Sequence, residues 1–255
     1  MKPPREELTI LIDEITTDAD FVAVAAQLRP RLNGVVRWEG MGAEERGIVQ
    51  SFLRIKESRP EGLYGPLLVR LLAAFERYVR TLIAWAAERR NGAASKYEDL
   101  SSTIVNRNRI LTGRVLASAE LPDHLVFDIP ALIENLATCK VGGSFRLNTS
   151  VFSFGIAGCS PKHLDTAFEH VDIGDCWDSV GRDAQLISIL GTKGARATAV
   201  GVKDKLKELS RLRNHLAHGG DGAPLVSETD LRDAIRFIAA FSKALEDLVL
   251  ANVKA

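Results

Sequence analysis

The sequence predicts an all-α protein, a helical bundle with a helical insert and a small β-hairpin or irregular loop region. Apolar residues recur at three- and four-residue steps over most of the chain, which is the period of an amphipathic helix. Aromatic residues are only 6% and β-branched alternation is rare, while Leu and Ala dominate, so little of the chain reads as strand. Breakers such as Asn33-Gly34, Pro60-Glu61-Gly62 and Asn91-Gly92 fall between the periodic stretches rather than inside them.

Residues 5–28 carry Leu8, Leu11, Ile12, Ile15, Phe21, Val22, Val24 and Leu28, one long helix or two short ones with Asp18 as a cap between them. Arg29-Pro30 and Asn33-Gly34 are expected to end this segment, and 35–38 to be a short extended piece. Residues 43–57 form a second amphipathic pattern through Ile48, Val49, Phe52, Leu53 and Ile55, closed by Pro60-Glu61-Gly62. Residues 66–90 give the strongest helix of the first half. Pro66 suits a first helical position, and Leu68, Leu71, Leu72, Phe75, Val79, Leu82, Ile83 and Ala86 make a stripe broad enough to be buried on more than one side. Within it Glu76 and Arg80 are four apart, the spacing of a surface ion pair worth under about 1 kcal/mol.

Between 91 and 197 helical patterns fall at about 97–117, 130–139, 161–170 and 176–190. Residues 141–160 are rich in Gly, Ser and Asn, and Phe145, Leu147, Val151, Phe152 and Phe154 suit a small hairpin or a packed loop. The segment 191–201 reads as a flexible connection and lacks the Gly-Lys-Ser/Thr of a phosphate-binding loop. Val202, Leu206, Leu209, Leu212 and Leu216 then mark one face of a helix over 202–218. Ser227-Glu228-Thr229-Asp230 resembles a capping box that opens a last helix, whose stripe runs from Leu231 to Val249. The short connection between these two helices favours antiparallel packing of one on the other. The expected organisation is one domain, with N-terminal helices in 1–62 and an insert over 91–197.

With 46% hydrophobic and 26% charged residues, the 255-residue chain suits a protein with a real core. A formal net charge of zero argues against coating nucleic acid by bulk charge, but it leaves room for a local basic site. Three cysteines without Cys-x-x-Cys suit a reducing cytoplasm rather than a disulfide framework. The acidic, apolar-poor start does not read as a signal peptide, and no uncharged apolar run nears the roughly 18 residues of a membrane span.

The chemistry-bearing stretch is Arg213-Asn214-His215-Leu216-Ala217-His218-Gly219-Gly220. Gly219 suits the left-handed residue that closes a helix, so His218 falls at the last helical position. Five residues rise about 7.5 Å and turn roughly 140°, so Arg213 and His218 flank a common surface, with the long arginine free to swing to the helix end. Asn214 lies four before His218 and could hydrogen-bond the imidazole and fix its tautomer. His215 could be a second proton carrier or a plain surface residue. Lys193, Arg196, Lys203, Lys205, Lys207 and Arg211 precede the motif, opposed only by Asp204 and Glu208. Lys203, Lys207 and Arg211 could draw in RNA, or the face could be solvated and internally paired. Asn106, Arg107, Asn108, Arg109 and Arg114 read as a second, solvated patch. Cys159, His163, His170 and Cys176 match no zinc spacing, so core cysteines, surface histidines and no metal are expected.

The pattern Arg-Asn-x-x-Ala-His-Gly at a helix end, followed by one more amphipathic helix, resembles the HEPN superfamily (higher eukaryote and prokaryote nucleotide-binding domains). The resemblance rests on residues 198–250 and on the helix at 66–90. It implies a metal-independent endoribonuclease of the toxin or phage-defence type, without a cofactor and acting as a homodimer. Arg213 and His218 would act, Asn214 would orient, and Glu76 would contact Arg213 or His218 from the early helix. RNA would be the substrate, with an antitoxin or regulatory protein as a further partner. The alternative is a non-catalytic HEPN module that binds RNA, a nucleotide or a partner protein.

Overall fold

The computed structural model describes residues 4–35, 42–54, 61–118, 126–140, 142–218 and 225–253, and every described regular element is a helix. They are α1 (Arg5–Val35), α2 (Ala43–Arg54), α3 (Glu61–Ala93), α4 (Ser102–Ala117), α5 (Ile129–Thr138), α6 (Pro161–His170), α7 (Cys176–Gly181), α8 (Ala184–Leu190), α9 (Ala195–His218) and α10 (Glu228–Asn252), with single 3-10 turns at Tyr97–Asp99 and Thr149–Ser153. No described helix is long and apolar enough to cross a membrane.

The spine is α3. Its stripe from Leu68 to Ala86 is wholly buried because α1, α6, α9 and α10 all pack on it. The helix starts at Glu61, so Pro66 sits inside it rather than at its first position. A residue before proline normally resists helical geometry because its Cβ meets the proline ring, and Gly65 has no Cβ. Gly65 serves a second purpose, since a Cβ there would lie 3.1 Å from Leu216 Cδ2 of α9.

Helix α1 runs unbroken past Asp18, Arg29-Pro30 and Asn33-Gly34. Asp18 does not cap. Its Oδ2 accepts from Arg70 Nη1 at 3.0 Å while Arg70 Nη2 donates to Glu14 Oε2 at 2.6 Å, which ties α1 to α3. The extended piece expected at 35–38 and the end of the 43–57 pattern lie outside the described residues, apart from Val35, which is helical, and 43–54.

Residues 142–160 form a packed loop, not a hairpin, because asparagine side chains take the bonds a strand partner would have taken. Asn148 Nδ2 donates to Thr112 Oγ1 at 3.1 Å and to Leu132 O at 2.9 Å, its N–H donates to Asn108 Oδ1 at 3.0 Å, and its Oδ1 accepts from Asn135 Nδ2 at 3.0 Å. Asn108 is therefore fully buried rather than part of a solvated patch, and Arg107 pairs with Glu169. Asn148→Ala, which strands the buried Thr112 hydroxyl and Leu132 carbonyl and the half-buried Asn135 amide, is expected to lower stability by about 2 kcal/mol in urea unfolding with an unchanged slope.

The segment 191–201 is mostly the first two turns of α9, not a flexible connection. Gly191 closes α8 in the left-handed conformation (φ 60°), and Thr198 is buried with its hydroxyl 2.7 Å from Thr192 Oγ1. Ser227 and Asp230 form the capping box of α10. Yet α9 and α10 are not close neighbours: both pack on α3, α7 and α8 instead of on each other. The insert thus enters the core, with Trp177 of α7 stacked on Phe241 of α10 at 6.3 Å.

Glu246 of α10 is buried, and its Oε2 lacks a hydrogen bond; Arg5 Nε approaches only to 3.8 Å. Burial, more than the opposing charge of Arg5, raises its carboxyl above the ordinary range. A raised acid favours the fold when protonated, and that contribution is lost as pH rises from the unfolded value through the folded one. Glu246→Gln is therefore expected to raise the melting temperature at pH 7.5, with the gain shrinking as pH falls towards the carboxyl's own titration.

Candidate functional site

Val202, Leu206 and Leu209 are the buried face of α9. Eleven residues make about three full turns, so Arg213 leaves the helix on nearly the line of Val202 and reaches the seam with α3 and α6. There it lines a small cleft of about 130 Å³ with Ser210 and Asn214, facing Glu76 of α3 and His163 of α6, over Leu72 and the loop 157–160.

Arg213 is half-buried, and among the described residues its side chain makes one hydrogen bond, Nη1 to Asn214 Oδ1 at 3.3 Å, and no ion pair. The cleft's acid, Glu76, is taken by Arg80 at 2.5 Å, and Arg80 also donates to Ile156 O at 3.4 Å. These two side chains are 17% and 16% exposed, so the pair is largely buried rather than a surface pair, and removing either partner would leave a shielded charge. The result is a guanidinium with no counter-ion among the described residues, beside an acid paired with Arg80. Cys159 closes the floor with its Sγ 3.8 Å from Ser210 Oγ. Burial pushes its thiol up and Glu76 adds to this, outweighing Ser210 and Arg213, so it stays protonated and is no nucleophile.

The other expected site residues fall as follows. His218 is exposed at the end of α9 and does not line the cleft. Arg213 lines the cleft at the seam instead of swinging to the helix end, and its Nη1 donates to Asn214 Oδ1. Asn214 is spent on Arg213 in this arrangement rather than on the imidazole. Glu76 lines the cleft with Arg213, but its carboxylate accepts from Arg80 and makes no bond to Arg213 or His218 among the described residues. His215 is exposed. Lys203 is half-buried, with its Nζ 4.8 Å over the Trp177 ring. Lys207 pairs with Asp204 at 3.0 Å and Lys205 with Glu208 at 2.9 Å, which is the internally paired face. Arg211 is exposed, with no ion pair among the described residues.

The expectation of surface histidines is corrected at both positions. His170 is buried, and its Nδ1 lies 2.8 Å from Phe152 O, to which it donates; burial lowers its pKa and keeps it neutral. His163 is half-buried at the cleft, with Nδ1 3.0 Å from Ser160 Oγ. Its place beside Arg213 was not found from sequence, where Ser160-Pro161 signals only a helix start. Cys159 and Cys176 are buried, and burial, with Asp165 and Asp175 adding, pushes the Cys176 thiol up to about 12. Among the described residues no cluster of His, Cys, Asp and Glu could hold a metal ion.

A larger cavity of about 580 Å³ lies between the start of α1 and α3. Among the described residues its rim carries Glu6, Glu7 and Glu88 and no base, and no motif residue lines it, so the small cleft is the better site for an anion.

The search of curated proteins and the search of solved structures each found no match. A family model, RiboL-PSP-HEPN, matches residues 52–251. That span takes in the spine α3, the whole insert, the motif helix and nearly all of α10. With Arg213 and His218 standing in the motif on α9, this chain belongs to the RiboL-PSP-HEPN family and thereby to the HEPN superfamily.

Proposed function

We propose that this protein is a metal-independent endoribonuclease that cleaves RNA by attack of the ribose 2′-hydroxyl on the adjacent phosphate. The observation that carries this reading is Arg213, a charged group with no carboxylate partner among the described residues, bonded to Asn214 in an open cleft whose acid, Glu76, pairs with Arg80. Such a guanidinium can clamp two phosphate oxygens and stabilise the charge that builds on phosphorus. His218 supplies an imidazole that can carry a proton.

In one chain His218 stands on the solvent side of α9, roughly 140° round from Arg213. A homodimer with its α9 helices facing across a two-fold axis would set His218 of one copy near Arg213 of the other. Lys207, Arg211, Asn214, His215 and His218 lie along one exposed stripe of α9, a face that can meet RNA or a second copy. A free ribonuclease harms its host, so a toxin or phage-defence role in the cytoplasm, under an antitoxin or other regulatory protein, fits this activity.

The test is incubation of the purified protein with RNA in EDTA. Products ending in 2′,3′-cyclic phosphate and 5′-hydroxyl are expected. A second reading, a non-catalytic module that holds RNA, a nucleotide or a partner protein, is favoured by the position of His218 outside the cleft. RNA retention without cleavage in that assay would select it.

A further inference from the structure

The Arg213 cleft contains an imidazole that the motif does not supply. His163 enters from α6, in the insert, and its surroundings are built to hold the ring. Ser160 is the N-cap of α6, yet its hydroxyl makes no capping bond and lies 3.0 Å from His163 Nδ1 instead. The helix thereby forgoes the bond an N-cap serine ordinarily makes. On the other side, Gly158 (φ +112°) passes so close that a Cβ there would stand 3.0 Å from His163 Nδ1 and 3.2 Å from Cε1. Nδ1 is bonded, the ring is confined, and Nε2 has no hydrogen bond among the described residues.

We propose that His163 is the base of the Arg213 cleft, taking the proton from the attacking 2′-hydroxyl, with Ser160 as its positioning residue. This rests on the ribonuclease reading and divides its labour. With Nδ1–H donating to Ser160, Nε2 carries the lone pair. The 2′-hydroxyl proton passes to Nε2, O2′ bonds to phosphorus, and the P–O5′ bond breaks with its electron pair leaving on O5′. That oxygen takes its proton from His218 of a second copy. Arg213 holds the non-bridging oxygens throughout. Base and acid thus come from different helices, and the imidazole of the motif need not enter the cleft of its own chain.

A leaving group that needs no protonation separates the two roles. Wild type, His163→Ala and His218→Ala are assayed in EDTA on RNA and on uridine 3′-(p-nitrophenyl phosphate), and binding is read with a 2′-O-methyl oligonucleotide. His163→Ala is expected to lower kcat about 100-fold or more on both substrates, with binding nearly unchanged. His218→Ala should be defective on RNA and largely recovered on the nitrophenyl ester. Ser160→Ala should shift the acidic limb of the pH–rate profile, which a purely structural residue would not do. If His163→Ala melts early, His163→Gln is read in its place. Wild-type rates in the His163 variants, or their recovery on the nitrophenyl ester, overturn the proposal and leave the ribonuclease reading standing. An inactive wild type on both substrates overturns that reading and the proposal with it.

Discussion

Arg213→Ala is expected to lower RNA cleavage in EDTA by about 100- to 1,000-fold, the usual effect of removing one preorganised donor from a developing oxyanion. The fold should not suffer. Arg213 makes no ion pair among the described residues and one long hydrogen bond to a side chain, so the melting curve should stay within about 0.5 kcal/mol of wild type. Arg213→Lys should recover little activity, because an ammonium cannot hold two phosphate oxygens in a planar fork. His218→Ala should also lose cleavage. Mixing it with Arg213→Ala should restore part of the rate if each composite site draws on both copies. Cleavage unchanged in both single variants would remove the motif from the chemistry.

Gly181→Ala is expected to destabilise the fold by about 3 kcal/mol or more, the upper range for forcing an atom into a packed interior. Its Cβ would press into the carbonyl oxygen of Ala195, with Ala195 C at 3.0 Å and Ala199 Cβ at 3.2 Å. Two of these three atoms are backbone, so relief requires moving the first turn of α9. That turn carries buried Thr198, and the rest of the helix presents Arg213 to the cleft. Gly201→Ala is the natural control. It would meet Leu190 Cδ1 at 3.3 Å, the end of a side chain that can shift, and should cost under about 1 kcal/mol. Equal urea midpoints for the two variants would show that the close approach of α7 to α9 is not a constraint.

The helices themselves were largely legible. A 3.6-residue period is written locally, so α3, α4, α6, α9 and α10 fall close to the expected segments. The misreadings share a cause. Pro66 by itself signals a helix start, but Gly65 before it has no Cβ to meet the proline ring, and the helix runs through. Residues 191–201 looked loose because their glycines and threonines serve contacts with α7 and α8. Residues 141–160 suit a hairpin or a packed loop by composition, and the packed loop results because Asn148 supplies side-chain bonds in place of a sheet ladder.

At the site, the sequence by itself determined that Arg213 follows the buried face of α9 and that His218 ends the helix roughly 140° further round, since helix geometry depends only on spacing. It also determined the family, because the motif is contiguous. Only the tertiary structure decided what Arg213 meets. Glu76 is claimed by Arg80, Lys203 is drawn over Trp177, and His163 is brought in by the insert. Those outcomes follow from which helices share α3, and packing between distant segments leaves no periodic trace in the chain.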